Sequence, residues 1–223
     1  MDAKIELQTG PQVVADGGVA NMRGERSGAG VIQQLHARLH ETNFRLGLFA
    51  FGISSTALAA ANAIATGVTA TAQPVIGLWN PATSPVNLVI VKTIVNVTVV
   101  ANSMVNPAGF MWLVSNGQAG ITTGSTPFNC KTLAQSGSFA KAFAMATALT
   151  GLSGSLSVFR PLAVGTVNAA GNATAVSLAT GPMVEETDGS IIVPPGGVAV
   201  VMNQISTTTL SVNSGIVWEE IPV

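Results

Sequence analysis

The chain predicts an all-β fold, an antiparallel β-sandwich or jelly roll with an extended N-terminal arm. Three observations carry this expectation. Segments dense in Val, Ile and Thr recur along the chain, and helices disfavour that density. Turn signals built from Gly, Pro and Asn separate them at short spacing, without alternating helical blocks, which argues against a parallel α/β sheet. Charge is also concentrated at one end. Residues 1–45 hold five basic and five acidic groups, whereas residues 46–223 hold only nine charges.

Residues 1–34 are expected to form the arm and residues 35–223 the body. The arm contains "GPQVVADGGVANMRGERSGAG", rich in Gly and poor in large apolar side chains. Such a stretch buries little surface and orders only when something holds it. "MDAKIELQTG" lacks the apolar core of a signal peptide, so none is expected. "VIQQLHARLHETNFRL" follows, with apolar residues at helical spacing. It fits equally a strand with Leu35, Ala37 and Leu39 on one face. Leu46 to Val91 carries no charge, which raises a membrane span for consideration. Its middle is Ala, Thr, Ser, Asn and Gly, broken by Gln73-Pro74 and Asn80-Pro81. No run of about 20 strongly apolar residues exists there, so no span is expected.

"VNLVIVKTIVNVTVVAN" (Val86–Asn102) is the clearest strand. In its second half Val95, Val97 and Val99 alternate with Ile94, Asn96 and Thr98, which predicts one buried and one wetter face. "GFMWLVSNGQAG" reads as a strand followed by the turn dipeptide Asn116-Gly117. "SGSFAKAFAMATALT" (136–150) is Ala-rich and reads as a helix or a long crossing loop. "SLSVFRP" predicts a short strand stopped by Pro161. "GSIIVPPGGVAVVMNQ" predicts strand, tight turn and strand. "TTTLSVNSGIVWEEIPV" predicts two strands separated by Asn213-Ser214-Gly215.

The last segment ends on adjacent glutamates, Glu219 and Glu220, in a chain with only 9% charged residues. In a strand, neighbouring side chains point to opposite faces. The pair therefore cannot act as one catalytic dyad. Ile216, Trp218 and Glu220 would share one face and Val217, Glu219 and Ile221 the other, so one glutamate should lie at the edge of the core face. There it needs an Arg or a backbone N–H, because a lone buried carboxylate is too costly. The expected role is a strand end at a rim or subunit contact.

Other chemistries find little support. The single cysteine, Cys130, permits no internal disulfide and reads as a small buried apolar residue. His36 and His40 have metal-binding spacing, with Glu41 as a possible third ligand. Ala37 stands where the metalloprotease pattern needs Glu, so surface or interface histidines are expected. No nucleophile elbow or P-loop occurs, and no histidine beyond His40 serves a triad. Glu185, Glu186 and Asp188 in "EETDGS" lack the EF-hand pattern and read as a solvated turn. Net charge is −1, which implies no strong attraction to nucleic acid or a membrane surface. An enzyme, a cofactor and a metal are thus not expected. A free monomer normally carries more surface charge. The composition suits a protein packed against other chains.

Several segments resemble structural proteins of tailed bacteriophages. "LWNPATSPVNLVIVKTIV" (Leu78–Val95) is similar to a pattern carried here by Asn80, Pro81, Ser84, Asn87 and Leu88. "LHARLHETNFRLGLFAFGIS" resembles the segment those proteins place before it. They often carry Tyr-Glu and Arg-Gly-Asn-like residues where this chain has His40-Glu41 and Arg45-Leu46. "IIVPPGGVAVVM" and "GIVWEEIPV" resemble their closing strands. The resemblance spans most of residues 35–223 and rests on the order of short motifs. It implies a virion head protein of the cement or decoration kind, with a jelly-roll-like body on the capsid surface. The implied partners are the major capsid protein and further copies of the chain, as a homo-oligomer and expectedly a trimer. Arg23, Arg26, Arg38 and Arg45 are the candidates for pairing with shell carboxylates, given arginine's fixed fork. Glu219 and Glu220 are the candidates at the rim. Two alternatives are a tail, fibre or vertex protein, and a host-surface glycan-binding β domain. The second predicts a cleft lined by Trp79, Trp112 or Trp218.

Overall fold

The computed structural model describes residues 7–8, 22–23, 39–57, 62–64, 71–99, 108–145, 147–165, 182–204 and 210–223. The chain forms two compact units, Met1–Glu41 and Thr42–Val223. In the first, β1 (Leu7–Gln8) and β2 (Met22–Arg23) pair in parallel. The expected arm boundary after residue 34 falls among residues 24–38, outside the described residues. A short helix, α1 (His40–Phe44), leads into the second unit. The helix-or-strand stretch before it is otherwise outside the described residues.

The second unit is an antiparallel β-sandwich. Its strands are β3 (Leu48–Ala57), β4 (Ile76–Trp79), β5 (Val86–Val99), β6 (Ala108–Ser115) and β7 (Phe128–Asn129), then β8 (Lys141–Ala144), β9 (Ser157–Gly165), β10 (Met183–Val193), β11 (Val198–Asn203) and β12 (Leu210–Pro222). One sheet has the order β10-β5-β12-β3-β7, the other β8-β4-β11-β6-β9. Without β7 and β8, eight strands remain. Their order is sixth, third, eighth, first in one sheet and second, seventh, fourth, fifth in the other. That is the interlocked double Greek key of a jelly roll. β7 and β8 arise between β6 and β9 and add one edge strand to each sheet.

Leu88, Ile90, Val95 and Val97 of β5, and Val212, Ile216 and Trp218 of β12, face Leu78, Phe110, Trp112, Ala199 and Val201 across the sandwich. Each such aliphatic or aromatic group contributes ~1.5–3 kcal/mol when fully buried. Val95 and Val97 are buried while Ile94 and Asn96 are half-buried, as the alternation predicts. The second sheet is also covered on its outer face. Ile121, Leu149, Leu152 and Leu156 pack there against Leu113, Val198, Val200 and Met202. Gln118 fastens this cover. It donates to Ser153 O at 3.0 Å and accepts from Ser153 N at 2.7 Å, and its carbonyl accepts from Trp79 Nε1 at 2.9 Å. Every side chain of β4 and β11 is buried as a result.

Asn80, in the motif after β4, has a structural task. Its buried amide donates to Val86 O at 2.7 Å and Val193 O at 3.0 Å. Its backbone exchanges bonds with Gly196 and Gly197. The β4–β5 turn is thereby clamped to the turn between β10 and β11. That Pro-Pro-Gly-Gly turn carries the chain from one sheet to the other, so β10 and β11 are not paired.

Three expectations are corrected. β9 continues through Pro161, because it is an edge strand whose free side needs no donor there. Two register shifts against β6 absorb the irregularity. Asn213-Ser214-Gly215 is no turn, since β12 is one strand with a register shift against β3 between Val212 and Ser214. Two neighbouring strands, β5 and β3, hold it extended. Residues 141–144 are neither helix nor loop but β8, paired with β4, with Ala142, Phe143 and Ala144 buried. Burial between layers overrides their helix propensity.

Candidate protein-contact site

β12 positions the two glutamates. Trp218 is fully buried and stacks on Phe49, with ring centroids 6.1 Å apart. Glu220 follows on the same face, where the core meets solvent. Its carboxylate accepts from Ser138 Oγ at 2.6 Å, from Phe139 N at 3.1 Å and from Trp218 Nε1 at 3.4 Å. The partner is thus a backbone N–H with two side-chain donors, and no arginine takes part. Glu219 turns to the other face and accepts from Thr42 Oγ1 at 2.9 Å. Each glutamate ties a different segment to the strand end, so the two act as anchors rather than as a dyad.

The anchored segments present apolar groups to solvent. Phe44 and Leu46 stand at the end of α1, Phe128 and Leu133 at β7 and its turn, and Phe139 and Ile221 beside Glu220. The turns are joined by hydrogen bonds. Asn129 Nδ2 donates to Leu46 O at 2.9 Å, and Cys130 N donates to Leu48 O at 3.0 Å. Lys131 Nζ donates to Phe44 O at 2.8 Å and lies 4.1 Å from the centre of the Phe44 ring. Leu46 has φ of 67° and Leu133 a φ of 58°. Such left-handed positions favour Gly or Asn. Leu133 is 75% exposed, so packing within the chain recovers little of the strain. These exposed apolar side chains make the region a candidate protein-contact surface. Sequence reading missed it because a left-handed leucine leaves no local signal. The visible sign was large apolar residues isolated in the polar stretch "TPFNCKTLAQSGSF".

Other expected site residues fall elsewhere. Arg45 is exposed at the turn beside Leu46, within this patch. Arg26 and Arg38 lie outside the described residues, and Arg23 is described only as backbone in β2. His36 lies outside them too, as do the side chains of His40 and Glu41. Among the described residues no cluster of His, Cys, Asp and Glu has metal-holding geometry. The half-buried Cys130 thiol is pushed up in pKa by burial, the opposite of what a nucleophile needs.

Glu185 corrects the solvated-turn reading of "EETDGS". It points between the sheets, accepting from Trp112 Nε1 at 2.7 Å and from Arg160 Nη2 at 2.6 Å. Glu186 pairs with Lys92 at 2.9 Å on the outer face. Thr187 Oγ1 donates to Ile90 O, and Asp188 and Gly189 form a left-handed bulge. Trp79, Trp112 and Trp218 are all buried, so none offers a ring face to a sugar. Among the described residues no helix is long and apolar enough to cross a membrane. No family model, curated protein or solved structure matches the chain.

Proposed function

We propose that this chain is a structural virion protein of a tailed phage, a cement or decoration protein that binds and stabilises the assembled head. The observation that carries the reading is the apolar patch around Glu219 and Glu220, fixed on a jelly-roll body almost free of charge. A neutral surface repels its neighbours weakly, and a rigid apolar patch gives them something to bind. The motif order that resembles phage structural proteins supports the same reading, as does a double Greek key, which recurs in capsid proteins. The partners proposed are the major capsid protein and further copies of the chain. Stabilisation follows from binding the assembled shell and not its free subunits. No catalytic step is assigned.

The test is peptide-based quantification of the chain in purified particles against the major shell protein. A simple fraction of the shell count is expected. A few copies per particle would move the chain to the tail or a vertex, and absence would refute the virion reading.

A further inference from the structure

The outer face of the first sheet contains a feature that the chain's own packing leaves unexplained. Gly52 of β3 and Gly215 of β12 sit directly opposite each other in adjacent strands. They floor a shallow groove of about 240 Å³, walled by Ala50, Ile94, Val217 and Phe128, with Lys92 at its margin. Glycine weakens a strand interior, and its presence there often marks a close approach by another group. Elsewhere the fold itself demands glycine. A Cβ on Gly77 would run into the side chain and backbone of Val200. Gly215 is different. Its φ is not left-handed, and the nearest atom to a Cβ built there is Phe51 O at 3.9 Å. Among the described residues nothing requires Gly215 to lack a side chain, whereas a Cβ on Gly52 would lie 3.2 Å from Ser214 O.

We infer that this face packs against the same face of a second copy of this chain, across a two-fold axis. The face carries both halves of such a contact. Exposed Phe128 is the knob, and the Gly52–Gly215 floor beside it is the hole. The charges complement themselves likewise. Lys92 and Glu186 pair with each other at 2.9 Å on this face, with side chains 37% and 61% exposed, and across a two-fold axis each can take the other copy's partner instead. A two-fold contact requires this self-complementarity. Three other routes to sheet association are hindered among the described residues. The outer face of the second sheet is covered by the chain's own segments. The β9 edge is interrupted by Pro161, and the β10 edge by its bulge after Glu186. This contact shares Phe128 with the surface proposed to bind a phage head, but it is argued from the groove and does not depend on that binding.

Sedimentation of the full chain over a range of concentrations tests the inference. The unmodified chain is expected to form a reversible dimer. Gly215→Val should remain folded and, at dilutions where both chains are monomeric, melt no lower, because a β-branched residue suits a strand. Its dimer should dissociate at least about tenfold more readily, because the groove is filled. Phe128→Ser, at an exposed position, should weaken the dimer similarly. A chain monomeric at every concentration would overturn the inference, as would a trimer indifferent to both substitutions. So would a Gly215→Val chain that fails to fold, since the glycine would then be explained internally. A monomer whose groove is covered only on phage particles would assign the face to another protein. None of these outcomes bears on whether the chain is present in particles.

Discussion

Replacing Glu185 by alanine tests the join between the two sheets. Glu185 belongs to β10 in the first sheet, and its two acceptor oxygens hold Trp112 of β6 and Arg160 of β9 in the second. Trp112 is fully buried. Its indole N–H, left without a partner, costs about 1–3 kcal/mol. The Arg160 pair is partly wet, with side chains 34% and 21% exposed. Solvent screening limits its share to about 0–1 kcal/mol. The expected loss is therefore about 1–4 kcal/mol, set against the ~5–15 kcal/mol typical of a folded domain. Urea unfolding should show a lower midpoint at unchanged slope. The decisive measurement is a double-mutant cycle with Trp112→Phe, which keeps a ring and removes the donor. In that background the loss from Glu185→Ala should shrink by about 1–2 kcal/mol. Additivity within ~0.5 kcal/mol would refute the reasoning, because it would mean that the two groups do not sense each other.

Three further outcomes are expected. Glu220→Ala removes the acceptor shared by Ser138 Oγ, Phe139 N and the buried Trp218 N–H. It should cost about 1–3 kcal/mol in chemical denaturation and speed amide exchange at Phe139. Leu133→Gly relieves a left-handed φ of 58° at a side chain that is 75% exposed. The body should gain up to about 1 kcal/mol in thermal or urea unfolding, while binding to phage heads weakens. Cys130, its thiol held protonated by burial, should alkylate more slowly in the folded chain than in urea. The gap should be widest just above the ordinary thiol pKa of about 8.5, where the unfolded chain is already thiolate. Equal rates there would contradict the burial argument.

The strands that were legible in the sequence are those whose local pattern agrees with their place in the sheet. Val86–Val99 is central, β-branched and alternating, and it forms β5. The misread segments are those where tertiary position overrides local signals. Pro161 would stop a central strand but not an edge one. Asn213-Ser214-Gly215 has turn composition, yet strands on both sides hold it extended. Residues 141–144 are rich in helix formers, but a doubly covered sheet needs an edge beside β4. Among the site residues, the opposite faces of Glu219 and Glu220 followed from strand periodicity alone. The inward turn of Glu185 did not, because its partners, Trp112 and Arg160, are distant in sequence. The left-handed leucines were invisible for a related reason, since a φ angle is set by the turn around the residue.

β11 and β12 are the middle strands of their respective sheets, and both come from residues 198–222. A ribosome delivers these strands after all their neighbours. Until they emerge, β4 has no β6 to reach and β3 has no β5, and each sheet is two fragments with unpaired backbone facing an empty slot. Folding of the body is therefore a closing event, dominated by contacts distant in sequence and slow for that reason. A nascent chain interrupted before residue 198 would expose apolar strand edges in both halves at once, the condition under which chains aggregate or recruit chaperones. The same arrangement couples the two sheets in time, because neither is completed much before the other.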